Sequence, residues 1–190
     1  MNELDIAKRV ASGELPSPTV YMNSGYVALR ISGTGCCWRR SVKEFAIRSP
    51  EIWLTPEMER RWLGAPVVVD HPPVTAILSS AFYGDRVVGQ IVYSWSTETE
   101  LWSVSRILDN LAYKLICDGK LADTSPGVIL AEPEPSFIEH EGAKLLVEGG
   151  IQLVDHLALC LAGVWTRGNE TGIITKDSSL AAREAVQEAP

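Results

Sequence analysis

The stretch DHLALCLAGVWTRG, residues 155–168, constrains the fold more than any other part of the chain, because Leu157 to Trp165 is almost unbroken apolar sequence with a histidine set at its head. An apolar run of this kind reads as a strand built to be buried. A buried imidazole needs a partner for its ring nitrogens, since an unpaired polar group in a core costs roughly 1 to 3 kcal/mol. His156 is therefore predicted to be paired, and a second imidazole would serve. The run falls far short of the roughly 20 residues a membrane span requires. No charged-apolar-small pattern opens the chain, so a soluble protein without a conventional secretion signal is expected.

With 190 residues, 46% of them hydrophobic, the chain has enough apolar material for a sizeable core in one domain. Cys36, Cys37, Cys117 and Cys160 are too few for a disulfide framework and form no C-x-x-C pair, so they read as reduced thiols in a cytoplasm. A formal net charge of -7 argues against nucleic acid as a partner, Arg39-Arg40 being a local basic patch at most.

Residues 1–25 are polar and punctuated by proline and serine, which predicts an N-terminal arm outside the core. YVALRIS (26–32) and SVKEFAIRS (41–49) read as strands with Gly33 and Gly35 turning between them. TPEMERRWLG carries Thr55 as N-cap, Pro56 at the first helical position and Gly64 just past the end, a full set of signals for a short helix. APVVVDHPP is a buried strand halted by prolines, and 86–95 and 100–105 read as further strands. Ile107, Leu108, Leu111, Ala112, Leu115 and Ile116 fall at helical spacing between Arg106 and Asp118, with Gly119 as the stop. TSPGVIL, KLLVE and IQLVDHLALC are strand-like, and 178–189 reads as a weak Ala/Glu-rich helix. Strands outnumber helices without alternating with them, so an α+β domain with a mainly antiparallel sheet or barrel is expected.

The chain has three histidines. His71 ends VVVDHPP, where Pro72 holds it extended at the mouth of its strand. His140, in FIEHEGA, reads as a solvated loop residue. One way to unite the others is a metal site made by His71 and His156 with Asp70 or Asp155, but zinc favours local spacings such as H-E-x-x-H, which are missing, and no metal or cofactor is expected. The other way is nucleophilic catalysis, in which a histidine takes a proton from a hydroxyl while a third group fixes its tautomer. The serine best placed for this is Ser125 in ADTSPGVIL, at the entrance of an apolar strand, with Pro126 and Gly127 shaping the backbone and leaving room for a substrate. Taken alone, Thr-Ser-Pro-Gly is also ordinary turn chemistry, and no G-x-S-x-G elbow is present, which disfavours an α/β-hydrolase.

HLALCLAG resembles the HVALCxxG box of herpesvirus capsid-assembly proteases. The ordered series KEFAIRSPE, TPEMERRWLGAPVVVDHP, VVGQI, SPGV and DHLAL is similar to the phage prohead-maturation proteases, over about residues 26–168. The resemblance implies Ser125 as nucleophile, His71 as general base and His156 as the third member that orients His71. It also implies a distorted, mainly antiparallel β-barrel flanked by helices. In the viral box the glycine is followed by paired arginines that help organise the oxyanion hole. Here Gly163 is followed by Val164 and Trp165, so that role falls to Arg167, unless it is a surface arginine, or to backbone N–H groups near Gly163 or Ser125.

The function so implied is a serine endopeptidase of prohead maturation, cutting scaffold, capsid-protein arms or itself. Its substrates would be the scaffold and the major capsid protein, inside the assembling prohead in the host cytoplasm, with a homo-oligomer admitted and no nucleic acid or membrane involved. The alternative is a catalytically inactive structural or scaffolding component with the same fold. The domain organisation expected is an arm (1–25), a protease domain (26–172) and a tail or linker (173–190).

Overall fold

The computed structural model describes residues 1–39, 44–72, 86–131, 136–140, 142–163, 165 and 171–175. Among these, eleven strands and four helices follow in the order α1 (Glu3–Ala11), β1 (Thr19–Tyr21), β2 (Ser24–Gly33), β3 (Gly35–Arg39), β4 (Glu44–Arg48), α2 (Pro50–Trp53), α3 (Pro56–Trp62), β5 (Pro66–Val69), β6 (Val87–Ser96), β7 (Glu100–Ile107), α4 (Asn110–Cys117), β8 (Asp123–Leu130), β9 (Ser136–His140), β10 (Ala143–Val147) and β11 (Ile151–Cys160). The chain is a mixed α+β protein in which strand predominates. Seven of the nine ladders are antiparallel; β5 with β11 and β4 with β10 are the parallel pairs.

The strands form a seven-stranded sheet, β1-β2-β7-β6-β5-β11-β8, and a four-stranded sheet, β3-β4-β10-β9. Both sheets are open, so the ladders do not close the expected barrel. The edge strand β8 is instead tied to β2 without a ladder, through a hydrogen bond from Thr124 Oγ1 to the Arg30 carbonyl. The segment 171–175 bonds to β2 alongside this contact. Arg30 N donates to the Gly172 carbonyl at 2.7 Å, Ile174 N donates to the Ala28 carbonyl at 3.1 Å, and Leu29 bridges Ile173.

Several elements follow directly from their sequence signals. Thr55 accepts from Met58 N at the start of α3, Pro56 opens the helix, and Gly64 follows it at φ +81°. Asp109 accepts from Ala112 N and starts α4 three residues later than its apolar spacing suggests, because Arg106 and Ile107 are held in the ladder of β7. Gly119, past its end, has φ +68°.

Two segments expected outside the core belong to it. Residues 1–25 are not a loose arm: Asn2 and Asp5 form a reciprocal capping box at 2.9 and 3.0 Å, and α1 buries Ile6, Ala7 and Val10 against Tyr26, Ala28 and Val104. The five apolar residues of this short helix, Leu4, Ile6, Ala7, Val10 and Ala11, span too few turns to show a sustained period in sequence. At the other end, Ile173 is 1% exposed within the main core, and the Ile174 carbonyl accepts from Ser17 Oγ at 2.7 Å. The boundary set at residue 172 therefore falls inside the packed body. Ile173→Ala is expected to cost about 2 to 5 kcal/mol, read from the midpoint of urea unfolding; a loss below about 0.5 kcal/mol would put the segment back outside the core.

A buried ion pair lies within the small sheet, between Arg48 of β4 and Glu148 just past β10, and its arginine also reaches the rest of the fold. Arg48 Nε and Nη2 donate to Glu148 at 2.7 and 3.2 Å, Nη1 donates to Ser32 Oγ at 2.9 Å, and the guanidinium lies 4.5 Å from the Trp53 ring and 5.5 Å from that of Trp165. Every face of the charge is occupied, which is the condition under which burying it is tolerated. Strands β3 and β9 were not legible as separate elements; β9 places His140 at a strand end rather than in a loop, in the sheet that does not carry His71 or His156. The stretches 41–43 and 178–189 lie outside the described residues.

Candidate functional site

Three adjacent strands, β5, β11 and β8, build the site. Ala158 of β11 stands opposite Val68 of β5 on one side and Ser125 of β8 on the other, and His156 stands opposite Gly127. Cross-strand partners share a sheet face, and residues two apart on a strand return to it. Val68, Ala158, Ser125 and His156 therefore lie on one face. Leu157 and Leu159 point the other way, into the main core, while Val68 and Ala158 form a separate buried pair. The strand read as buried on both faces is so, and this arrangement makes one of its faces a floor beneath the polar groups.

His71 reaches this face because the chain turns sharply after β5. Asp70 adopts φ +58°, a left-handed conformation that aspartate tolerates better than most residues, and its N–H donates to the Leu159 carbonyl at 3.0 Å. His71 lies two residues beyond the strand, with an exposed edge. Its Nδ1 is 2.7 Å from His156 Nε2, the rings meeting edge to face with centroids 5.0 Å apart. His156 is completely buried, and its Nδ1 is 2.6 Å from Asp155 Oδ2. The partner required for a buried imidazole is thus double: a second imidazole on one nitrogen and a carboxylate on the other.

Burial pushes the His71 pKa below its ordinary value, the nearby His156 pushes it further down, and Asp70 partly opposes them. His71 is accordingly held neutral to a lower pH than a free histidine. Cys160, near the end of β11, moves the opposite way in function: burial, then the Asp123 and Asp70 carboxylates, push its thiol up to about 12. It stays a protonated thiol, which leaves the hydroxyl of Ser125 as the nucleophile candidate of this face.

Ser125 is half-buried beside Pro126 in β8. No hydrogen bond joins its Oγ to His71 among the described residues. Such contacts are often long in a site without substrate and tighten when one binds. Gly127 has a different use from the one its sequence suggests. A Cβ at this position would stand 2.2 Å from His156 Cε1 and 2.5 Å from Nδ1. The space it leaves is filled by the His156 ring, not reserved for a substrate. Gly127→Ala is expected to displace that ring and to destabilise the fold by about 1 to 3 kcal/mol, measurable by thermal unfolding. An unchanged midpoint would mean that the ring is not confined there.

Gly163 follows β11 and is anchored to the strand of Ser125. Its N–H donates to Asp123 Oδ2 at 2.9 Å, and a Cβ on it would stand 2.2 Å from the Thr124 carbonyl oxygen. Asp123 Oδ1 also accepts from Thr124 N at 2.8 Å, and Arg30 Nη2 stands 3.5 Å from it. The Gly163 N–H considered for the oxyanion is thus already engaged by a carboxylate. Arg167 lies outside the described residues.

Sequence reasoning placed His71 and His156 together but gave Asp155 a part only in a metal site that was set aside. Its proximity in sequence to His156 was visible; its turn toward the ring was not. Among the described residues no group of three His, Cys, Asp or Glu side chains is disposed to hold a metal ion, and no helix is long and apolar enough to cross a membrane. No protein-family model, curated protein or solved structure matches the chain.

Proposed function

We propose that the chain is a serine endopeptidase of phage capsid assembly, which cleaves scaffold, the arms of the major capsid protein or its own tail through an acyl-enzyme on Ser125. The observation that carries this reading is the 2.7 Å bond between His71 and His156 on the sheet face that also bears Ser125. The ring pair is the element of a Ser-His-His site that a merely structural strand has least use for. The distorted barrel of the herpesvirus and prohead proteases belongs to the same proposal, and the hydrogen bond from Thr124 of β8 to the Arg30 carbonyl of β2 supports it.

In this mechanism Ser125 Oγ adds to the scissile carbonyl carbon as its proton passes to His71 Nε2, and the carbonyl π pair moves onto oxygen. The C–N bond then breaks, with the same proton going to the leaving amine. Water repeats the attack on the ester, gives its proton to His71, and releases the acid product as the proton returns to Ser125. The oxyanion donors are Arg167 and backbone N–H groups other than that of Gly163, each worth roughly 10²- to 10³-fold in rate. An imidazole beside His71 stabilises its cation less than a carboxylate in direct contact would, so turnover is slow. Inside a procapsid, where substrate is held at high effective concentration, slow turnover suffices.

A catalytically inactive structural or scaffolding component is the second reading, favoured by the missing Ser125–His71 bond and the engaged Gly163 N–H. Storage separates the two. The purified chain shortens on incubation and the Ser125→Ala chain does not if the site is active; neither shortens, and no scaffold-derived peptide is cut, if it is not.

A further inference from the structure

We infer that Asp155 is a positioning residue that fixes the proton order of the histidine pair, so that the site is a four-member chain Asp155–His156–His71–Ser125; the inference rests on the serine-hydrolase reading above. In a regular strand, neighbours 155 and 156 point to opposite faces. Here β11 is irregular between Val154 and His156, where its register against β8 shifts, and both Asp155 and His156 are buried. An irregularity of this kind re-aims side chains. It brings the Asp155 carboxylate to 2.6 Å from Nδ1 of the ring next to it in sequence.

Two neutral imidazoles joined through Nδ1 of His71 and Nε2 of His156 have two proton orders that satisfy the 2.7 Å bond equally. In one, His71 Nδ1–H donates to His156 and leaves a lone pair on His71 Nε2. In the other, His156 Nε2–H donates to His71 Nδ1, and His71 must carry its proton on Nε2. Only the first order leaves His71 Nε2, the nitrogen not bonded to His156, able to accept a proton from the serine. An ionised carboxylate accepts and cannot donate. With Asp155 on Nδ1 of His156, that nitrogen holds the proton, Nε2 must accept, and the first order is selected. When His71 becomes a cation during acylation, the carboxylate also lies one ring away to stabilise it, partly restoring what a neutral third member lacks.

The test is ¹⁵N NMR of the full chain at a pH where both rings are neutral, with labelled histidine. Three histidines keep the assignment tractable. In the unaltered chain, His156 and His71 are both expected to be protonated on Nδ1 and bare on Nε2. In Asp155→Asn, whose amide can donate as well as accept, a population with His71 protonated on Nε2 is expected, together with a fall of about 10²-fold or more in the rate at which a fluorophosphonate labels Ser125. A proton on Nε2 of His156 in the unaltered chain overturns the inference even if no variant folds. Unchanged ring protonation in a folded Asp155→Asn chain overturns it as well. Failure of the reagent to label Ser125 in the unaltered chain, with the proton order as described, instead overturns the enzyme reading.

Discussion

Cleavage of a scaffold-derived peptide by the Ser125→Ala chain is expected to fall by about 10⁴-fold or more, because nucleophile and base act as a unit and what remains is binding and oxyanion stabilisation alone. The fold should survive. Ser125 is half-buried in β8 opposite Ala158, and its hydroxyl makes no hydrogen bond among the described residues, so its loss strands no buried partner. The stability change should stay within about 0.5 kcal/mol. Chromatographic assay of the peptide beside urea unfolding of the same preparation reads both quantities. Retained cleavage by a folded Ser125→Ala chain would remove the proposed nucleophile.

His71→Ala should be nearly as damaging, since it removes the proton acceptor itself. His156→Ala should lower kcat/KM less, because His71 then loses an orienting bond that water can partly replace, although the emptied space over Gly127 adds a cost in stability. His140→Ala should be almost silent, His140 belonging to the other sheet. The same site sets the pH profile. The base must be neutral to accept a proton, and burial and His156 together lower the His71 pKa. Activity should therefore persist as pH falls through the ordinary histidine value of about 6.5 and decline only below it. Measuring kcat/KM for each variant between about pH 5 and 8 tests these points together. An acid limb above 6.5, or His140→Ala as harmful as His71→Ala, would contradict the assignment.

Signals that act over a few residues were legible in the sequence. Thr55, Pro56 and Gly64 delimit α3 because capping is a local event, and the apolar run from Leu157 marks β11 as buried, although the ladder stops at Cys160 and the run goes on to Trp165. Signals that depend on what packs nearby were not. Ile107 and Leu108 fit a helical stripe, yet pairing of Arg106 and Ile107 with β2 and β6 keeps β7 extended through them. Ile6, Ala7 and Val10 were hidden in a polar segment, and Ile173 in a stretch assigned to a tail, because their value comes from β2 and its neighbours.

At the site, the histidine pair could be anticipated from the cost of an unpaired imidazole together with the family resemblance. The part played by Asp155 depends on an irregularity in β11, and that of Gly127 on a ring contributed by the adjacent strand. Neither has a local sequence signature. The oxyanion site was the least readable, since the Gly163 N–H is claimed by Asp123, forty residues earlier in the chain.

Activation of Ser125 as a nucleophile is read out by covalent labelling. The full chain is treated with a fluorophosphonate, digested, and the modified residue located by mass spectrometry. A single stoichiometric adduct is expected on Ser125, formed much more slowly in His71→Ala and not at all in Ser125→Ala. An unmodified Ser125 in the folded chain, or an adduct confined to another serine, would contradict it.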